Sequence, residues 1–250
     1  MKKIFSWTLN LSLLFIAASA LTYTLHYLIF HDAHHIFIYM IGDFGFLFID
    51  VLLVVLLIER ILARKEKQAL MKKLNMVIGS FFSEVGLNLL NKFNTFVKNS
   101  DYLAEKLKVN SKWEKKHFNE AIKAAKNFKY EMKLDKDRLC ELRDYLVSKR
   151  PFLLRLLENP NLLEHDDFTD LLWAVFHLSE ELEFRGDRLK SLPDKDYEHL
   201  ANDLKRAYSQ ITTTWISYMK HMKKSYPFLF SLASRVNPMD PQASPVIYGD

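Results

Sequence analysis

The stretch "HDAHHIFIYMIGDFGFLFIDVLLVVLLIER", residues 31–60, decides how the chain is read. From Ile36 to Ile58 its side chains suit hydrocarbon, apart from two carboxylates, Asp43 and Asp50. As a helix those residues rise roughly 35 Å, enough to cross a bilayer core of about 30 Å. Upstream, Ile4 to Phe30 carries no Lys, Arg, Asp or Glu and reaches roughly 40 Å as a helix. Only His31, Asp32, Ala33, His34 and His35 separate the two runs. The pattern therefore predicts a tight transmembrane helical hairpin over residues 1–62, with spans at about 4–30 and 36–58. A signal peptide is the rival for the first run, since Lys2 and Lys3 precede it and Ala18-Ser19-Ala20 resembles a cleavage site. Apolar character continues through "LTYTLHYLIF", which is longer than an ordinary signal core.

Basic residues set the expected orientation. Lys2 and Lys3 flank the first span, and Arg60, Arg64, Lys65, Lys67, Lys72 and Lys73 follow the second, while the hairpin turn has no Lys or Arg. Lys and Arg collect on the cytoplasmic side of a bilayer, so both termini are expected inside the cell, with residues 63–73 as a basic collar against anionic lipid. The lone cysteine, Cys140, cannot close an internal disulfide and fits a reducing compartment. The net charge of +5 raises the question of nucleic acid. Eight Lys/Arg against five Asp/Glu fall within residues 1–73, leaving 27 against 25 for the rest. The excess follows the apolar runs, which points to a cell-membrane protein and gives no case for a nucleic-acid partner.

Six Gly and seven Pro in 250 residues favour long helices, and the expected fold class is all-α, a cytoplasmic helical bundle over residues 74–234 following the hairpin. Leu74, Ile78, Phe81, Val85, Leu89, Phe93 and Phe96 recur at the three-and-four spacing of an amphipathic helix. Gly79 and Gly86 fall on nearly one face of it, open to a close neighbour. Ser111 and Glu114 are expected to form a capping box. The helix they open puts Phe118, Ala121, Ala125, Phe128 and Met132 on one side and Lys112, Lys116, Lys123, Lys126 and Lys133 on the other, a solvated or lipid-facing stripe. Separate helices are expected at about Asp137 to Lys149 and at Pro151 to Glu158. Another runs from Asp166 and Asp167 to Gly186, and a long one from Asp194 to Lys224, with Lys220, Lys223 and Lys224 complementing its carbonyl end. Residues 235–250, with three prolines in "NPMDPQASPVIYGD", read as disordered or extended.

Asp43 and Asp50 are the residues most in need of an account. They stack on one helical face, and an ionised carboxylate in lipid costs at least about 2.5 kcal/mol near the centre. Asp50 has three candidate roles: a hydrogen bond to Ser12, Ser19, Thr22 or Thr24, an oligomer contact, or a cation or proton path. Two spans cannot enclose a pore, so conduction requires an oligomer. In the turn, His31, His34 and His35 with Asp32 combine donors for zinc, nickel or copper with the titration range of a pH sensor. Their spacing matches no standard metal motif, and an interfacial loop is the plainer reading. His165-Asp166-Asp167 and the one-turn pair His177 and Glu181 read as capping and surface pairing. No GxGxxG, P-loop, GxSxG or HExxH pattern occurs, so the sequence makes no positive case for an enzyme or a cofactor.

"HHIFIYMIGDFGFLFIDVLLVVLLIERILARKEK" followed by "KLNMVIGSFFSEVG" resembles an uncharacterised family of prokaryotic membrane proteins with two spans and a helical cytoplasmic region. The resemblance covers roughly residues 26–90 and implies topology without an activity. The expected role is a scaffold or regulatory binding module, homo-oligomeric, with an unidentified protein partner for the cytoplasmic part. The alternative is an oligomeric cation or proton channel using Asp50 and Asp43.

Overall fold

The computed structural model describes residues 2–160, 162 and 165–247, with side chains described for 9–99 and from 102 onward within those stretches. Nine α-helices account for nearly all of the regular structure among them: α1 (Lys2–Phe30), α2 (Ala33–Phe81), α3 (Leu87–Asn94), α4 (Ser100–Lys106), α5 (Lys115–Asn127), α6 (Lys136–Leu157), α7 (Asp166–Arg185), α8 (Asp194–Ser225) and α9 (Pro227–Arg235). No strand forms among the described residues, and a single isolated bridge joins Val97 to Met132. The fold is all-α. Two compact units divide it, residues 1–67 and 68–250.

In the first unit the break between α1 and α2 is two residues long. His31 takes a left-handed conformation at φ 53° and its N–H still reaches the Tyr27 carbonyl at 2.8 Å. Asp32 then caps α2, its Oδ1 accepting the His35 N–H at 3.1 Å, which satisfies one of the donors every helix start leaves open. The rings of His26 and His35 stack across the break, with centroids 6.0 Å apart. Beyond it α1 and α2 share little packing among the described residues, and from residue 9 to 62 all but His26 and Ile36 are exposed. Thr22 and Thr24 donate back to Ala18 and Ala20 of their own helix, so neither serves Asp50. Lys2 and Lys3 lie outside the described side chains.

The second unit is a bundle built on α8, which packs against α3, α5, α7 and α9. Leu200, Leu204, Tyr208, Ile211, Trp215, Met219 and Met222 are buried along it, at the spacing one helical face dictates. The stripe Leu74, Ile78, Phe81, Val85, Leu89, Phe93 and Phe96 is buried throughout. Between Phe82 and Gly86 that stripe passes through a π turn. Gly86 is required there: a β-carbon would fall 2.5 Å from Phe82 Cδ1 and 2.9 Å from Phe81 Cε1. The neighbours that approach Gly79 and Gly86 are thus aromatic side chains.

Three sequence-based boundaries are corrected. The cap of α5 is Glu114, whose carboxylate takes the N–H of His117 while His117 Nδ1 accepts from the Glu114 N–H at 3.0 Å; Ser111 lies outside the box. α5 runs only from Lys115 to Asn127, which leaves Lys112, Phe128, Met132 and Lys133 off the helix. Residues 136–157 form one helix with Pro151 inside it. An internal proline removes a hydrogen bond at a cost of about 3 kcal/mol. Burial on both sides offsets this, with Leu139, Leu142 and Leu146 before the proline and Leu153 and Leu156 after it. Beside it Arg150 reaches Glu183 at 2.6 Å and Glu180 at 3.3 Å, its guanidinium over the Phe176 ring.

The C-terminal segment after α9 has no regular structure over residues 236–247, and its first residues are pinned to the core. Asn237 is 1% exposed; its Nδ2 donates to the Leu107 carbonyl at 3.0 Å and its Oδ1 accepts the Met239 N–H at 2.9 Å. Asn94 donates to the Pro238 carbonyl at 2.8 Å, and Lys108 meets Asp240 at 3.0 Å. Aperiodic sequence here gains its order from side-chain hydrogen bonds. Residues 248–250 of the expected tail lie outside the described residues.

Candidate functional site

α7 and α8 pack along each other, and each presents a histidine and a carboxylate one turn apart. On α7 these are His177 and Glu181, with Nε2 and Oε1 3.9 Å apart. On α8 they are His199 and Asp203, with Nε2 and Oδ2 3.3 Å apart. The pairs converge across the helix interface: His199 Nε2 lies 3.4 Å from Glu181 Oε2, and His177 Nε2 lies 3.7 Å from Asp203 Oδ2. The donor atoms of Glu181, His199 and Asp203 all fall within 4.8 Å of one another.

Burial divides the group. Asp203 is 4% exposed and its Oδ2 has no hydrogen-bond partner, whereas the two imidazoles are about half exposed. An unpaired buried carboxylate oxygen is costly, so this atom calls for a counter-charge. Around it stands an ordered ionic frame. Arg185 donates to Glu181 Oε2 at 2.5 Å and makes a two-pronged contact with Asp196 at 3.0 and 2.7 Å. Burial pushes the Glu181 carboxyl up, but the hydrogen bond and charge of Arg185, with His177 and His199 beside it, hold it below its ordinary value. Asp196 is lowered chiefly by its hydrogen bond from Arg185. The frame fixes Glu181 in rotamer and in charge.

The residues singled out from the sequence are placed differently. Asp43 and Asp50 are exposed on α2 and make no hydrogen bond or ion pair among the described residues. Arg60, Arg64, Lys65, Lys67, Lys72 and Lys73 are all exposed. His31, Asp32, His34 and His35 do not converge; Asp32 and His31 are used in ending α1 and starting α2. His165 accepts the Phe168 N–H at 3.2 Å and is the cap of α7, with Asp166 and Asp167 in its first turn.

With this geometry in hand, two family models match the chain: the N-terminal helical domain of MJ1433 over residues 2–62 and the C-terminal helical domain of Uncharacterized protein MJ1433 over residues 70–235. Uncharacterized protein MJ1433 of Methanocaldococcus jannaschii is 41% identical over 236 residues, 94% of each chain. The chain belongs to the MJ1433 family. No solved structure matches it.

The His–carboxylate group lies wholly within the part matched by the MJ1433 C-terminal domain. His199 and Asp203 were missed in the sequence, and His177 with Glu181 was read as surface pairing. The available signal is the repetition of one pattern, a histidine and an acid four residues apart, on two successive helices. Elsewhere in this domain lies a groove of about 790 Å³ with Trp113 and Phe230 as apolar wall and Lys108, Lys223 and Arg235 as basic rim. Lys223 ties its edge, donating to the carbonyls of Ser111, at 2.8 Å, and Trp113. That loop contact is what Lys223 provides at the end of α8.

Proposed function

We propose that this MJ1433-family protein is a membrane-anchored helical binding module, non-catalytic and assembled as a homo-oligomer, with its bundle on the cytoplasmic side. One observation carries the reading. Two helices long and apolar enough to cross a bilayer leave their apolar side chains exposed, with no partner inside the chain. Apolar surface on this scale needs an apolar solvent or a protein cover, and a helix satisfies its own backbone groups in lipid. The exposed basic residues from Arg60 to Lys73 support an inside-facing flank. The groove between Trp113 and Arg235 supports binding as the role of the bundle.

Fractionation and labelling test this. The protein is expected to stay with membranes in alkaline carbonate and to leave them in detergent. In a Cys140→Ser background, Ser148→Cys, at an exposed position, should react with an impermeant maleimide only after the cells are opened. Release by carbonate, or labelling of intact cells, would overturn the anchoring or the orientation.

A second reading rests on Asp43 and Asp50, which have no partner among the described residues and in lipid would need one from a neighbouring copy or from water. In an oligomer they would line a cation or proton path. Equal liposome flux for the native chain and for Asp43→Asn with Asp50→Asn would remove them from any such path.

A further inference from the structure

We infer that Glu181, His199 and Asp203 form a binding site for a divalent first-row transition-metal ion of the zinc class, clasping α7 to α8. The donor set is one imidazole and two carboxylates, which suits zinc and its neighbours, supplies two negative charges to balance the ion and leaves a fourth tetrahedral position for water. The spacing fits as well. Nitrogen and oxygen ligands bound tetrahedrally at about 2.0–2.1 Å stand roughly 3.3 Å from one another. His199 Nε2 lies 3.3 Å from Asp203 Oδ2 and 3.4 Å from Glu181 Oε2. His177 Nε2, 3.7 Å from Asp203 Oδ2 and 3.9 Å from Glu181 Oε1, stands outside this set of mutually close donors and flanks the site.

A cluster of ion pairs is the competing account, with Arg206 3.9 Å from Asp203 Oδ1 as one member, and the other oxygen of Asp203 argues against it. Were the imidazoles simply donating protons to this carboxylate, an N–H would point at Oδ2. Instead Oδ2 is buried and has no hydrogen-bond partner, although two imidazole nitrogens lie within 3.7 Å. Ligands of a common ion point at a shared centre and not at each other, which is the arrangement that leaves Oδ2 unpaired. The support around the group is of the kind metal sites use. Arg185 orients Glu181 by a hydrogen bond and is itself held by Asp196.

The test uses the full chain, purified in detergent and stripped with a chelator. Calorimetric titration with zinc should give one ion per chain at this site, and cobalt should give the intense visible bands of a tetrahedral complex. His199→Ala removes a half-exposed ligand and should weaken zinc binding by at least about tenfold and abolish the cobalt bands. Asp203→Asn should do the same, with circular dichroism checking that it folds. Replacing His31, His34 and His35 together by alanine should leave both signals in place. Absence of zinc binding by the native chain, unchanged affinity in a folded His199→Ala protein, or loss of the signals only in the hairpin variant would each overturn the site.

Discussion

The α-carbon of Gly79 faces the phenol of Tyr218, and a β-carbon at position 79 would lie 2.7 Å from its hydroxyl oxygen. The Tyr218 ring is stacked on Phe82 with centroids 5.4 Å apart, so it cannot swing aside freely. Gly79→Ala gains about 1 kcal/mol of helix propensity, against roughly 1–3 kcal/mol for overpacking. The variant should therefore be less stable, by about 1 kcal/mol. In a Tyr218→Phe background, where the nearest remaining ring atom is 3.4 Å away, the same change should be neutral or stabilising. Thermal melts of the four proteins in detergent give the coupling directly.

Asn237 joins the C-terminal segment to the core through both ends of its amide. Asn237→Ala leaves the Leu107 carbonyl and the Met239 N–H without these partners in a buried setting, at a cost of about 1–3 kcal/mol. The expected result is a lower melting temperature together with faster protease cleavage after Arg235. Unchanged cleavage would mean that the buried Met239 holds the segment without the amide.

Lys223 closes the loop that walls the groove, and Lys223→Met keeps an unbranched apolar side chain while removing the donor and the ammonium that stands 5.7 Å over the Phe230 ring. Loss of two charge-assisted hydrogen bonds should cost about 1–3 kcal/mol. Quenching of Trp113 by an added aqueous quencher should rise as the loop loosens. A matching change in Lys224→Met, which makes neither bond, would show that net charge is responsible.

The His221 imidazole is held below its ordinary value, first by burial and then by the nearby charge of Lys224. A base depressed in the folded state binds fewer protons than in the unfolded chain. Its contribution to stability is thus complete above 6.5, the value expected when unfolded, and is lost as pH falls through the lower folded value. Melting temperatures followed from about pH 8 to about pH 5 should fall less steeply for His221→Gln than for the native protein. Parallel slopes would mean that the ring is fully solvated.

Much of the fold was legible because its helices are amphipathic. Positions such as Leu74, Phe81, Phe93, Leu204 and Trp215 could be assigned inward from spacing alone, and all are buried. What escaped was decided by contacts remote in sequence. Pro151 reads as a helix start, and only burial of leucines on both sides keeps the helix unbroken around it. Asn237 is one polar residue among many until Leu107 is brought beside it. The His–carboxylate group is the clearest case. Each half is an ordinary one-turn pair, and only the packing of α7 on α8 brings the halves together. Asp43 and Asp50 stood out in the sequence because their setting is apolar, which is a property of composition and needs no fold to be seen.

Because α8 touches α3, α5, α7 and α9, no other helix of the bundle can detach from it without wetting part of the same core. Local opening and global unfolding should therefore coincide near Tyr208 and Trp215. Amide protons from Leu204 to Met219 should exchange as one slow cohort, at a rate set by the whole bundle. An agent that grips α8 at any point along its length would retard that entire cohort, including amides several turns from where it binds.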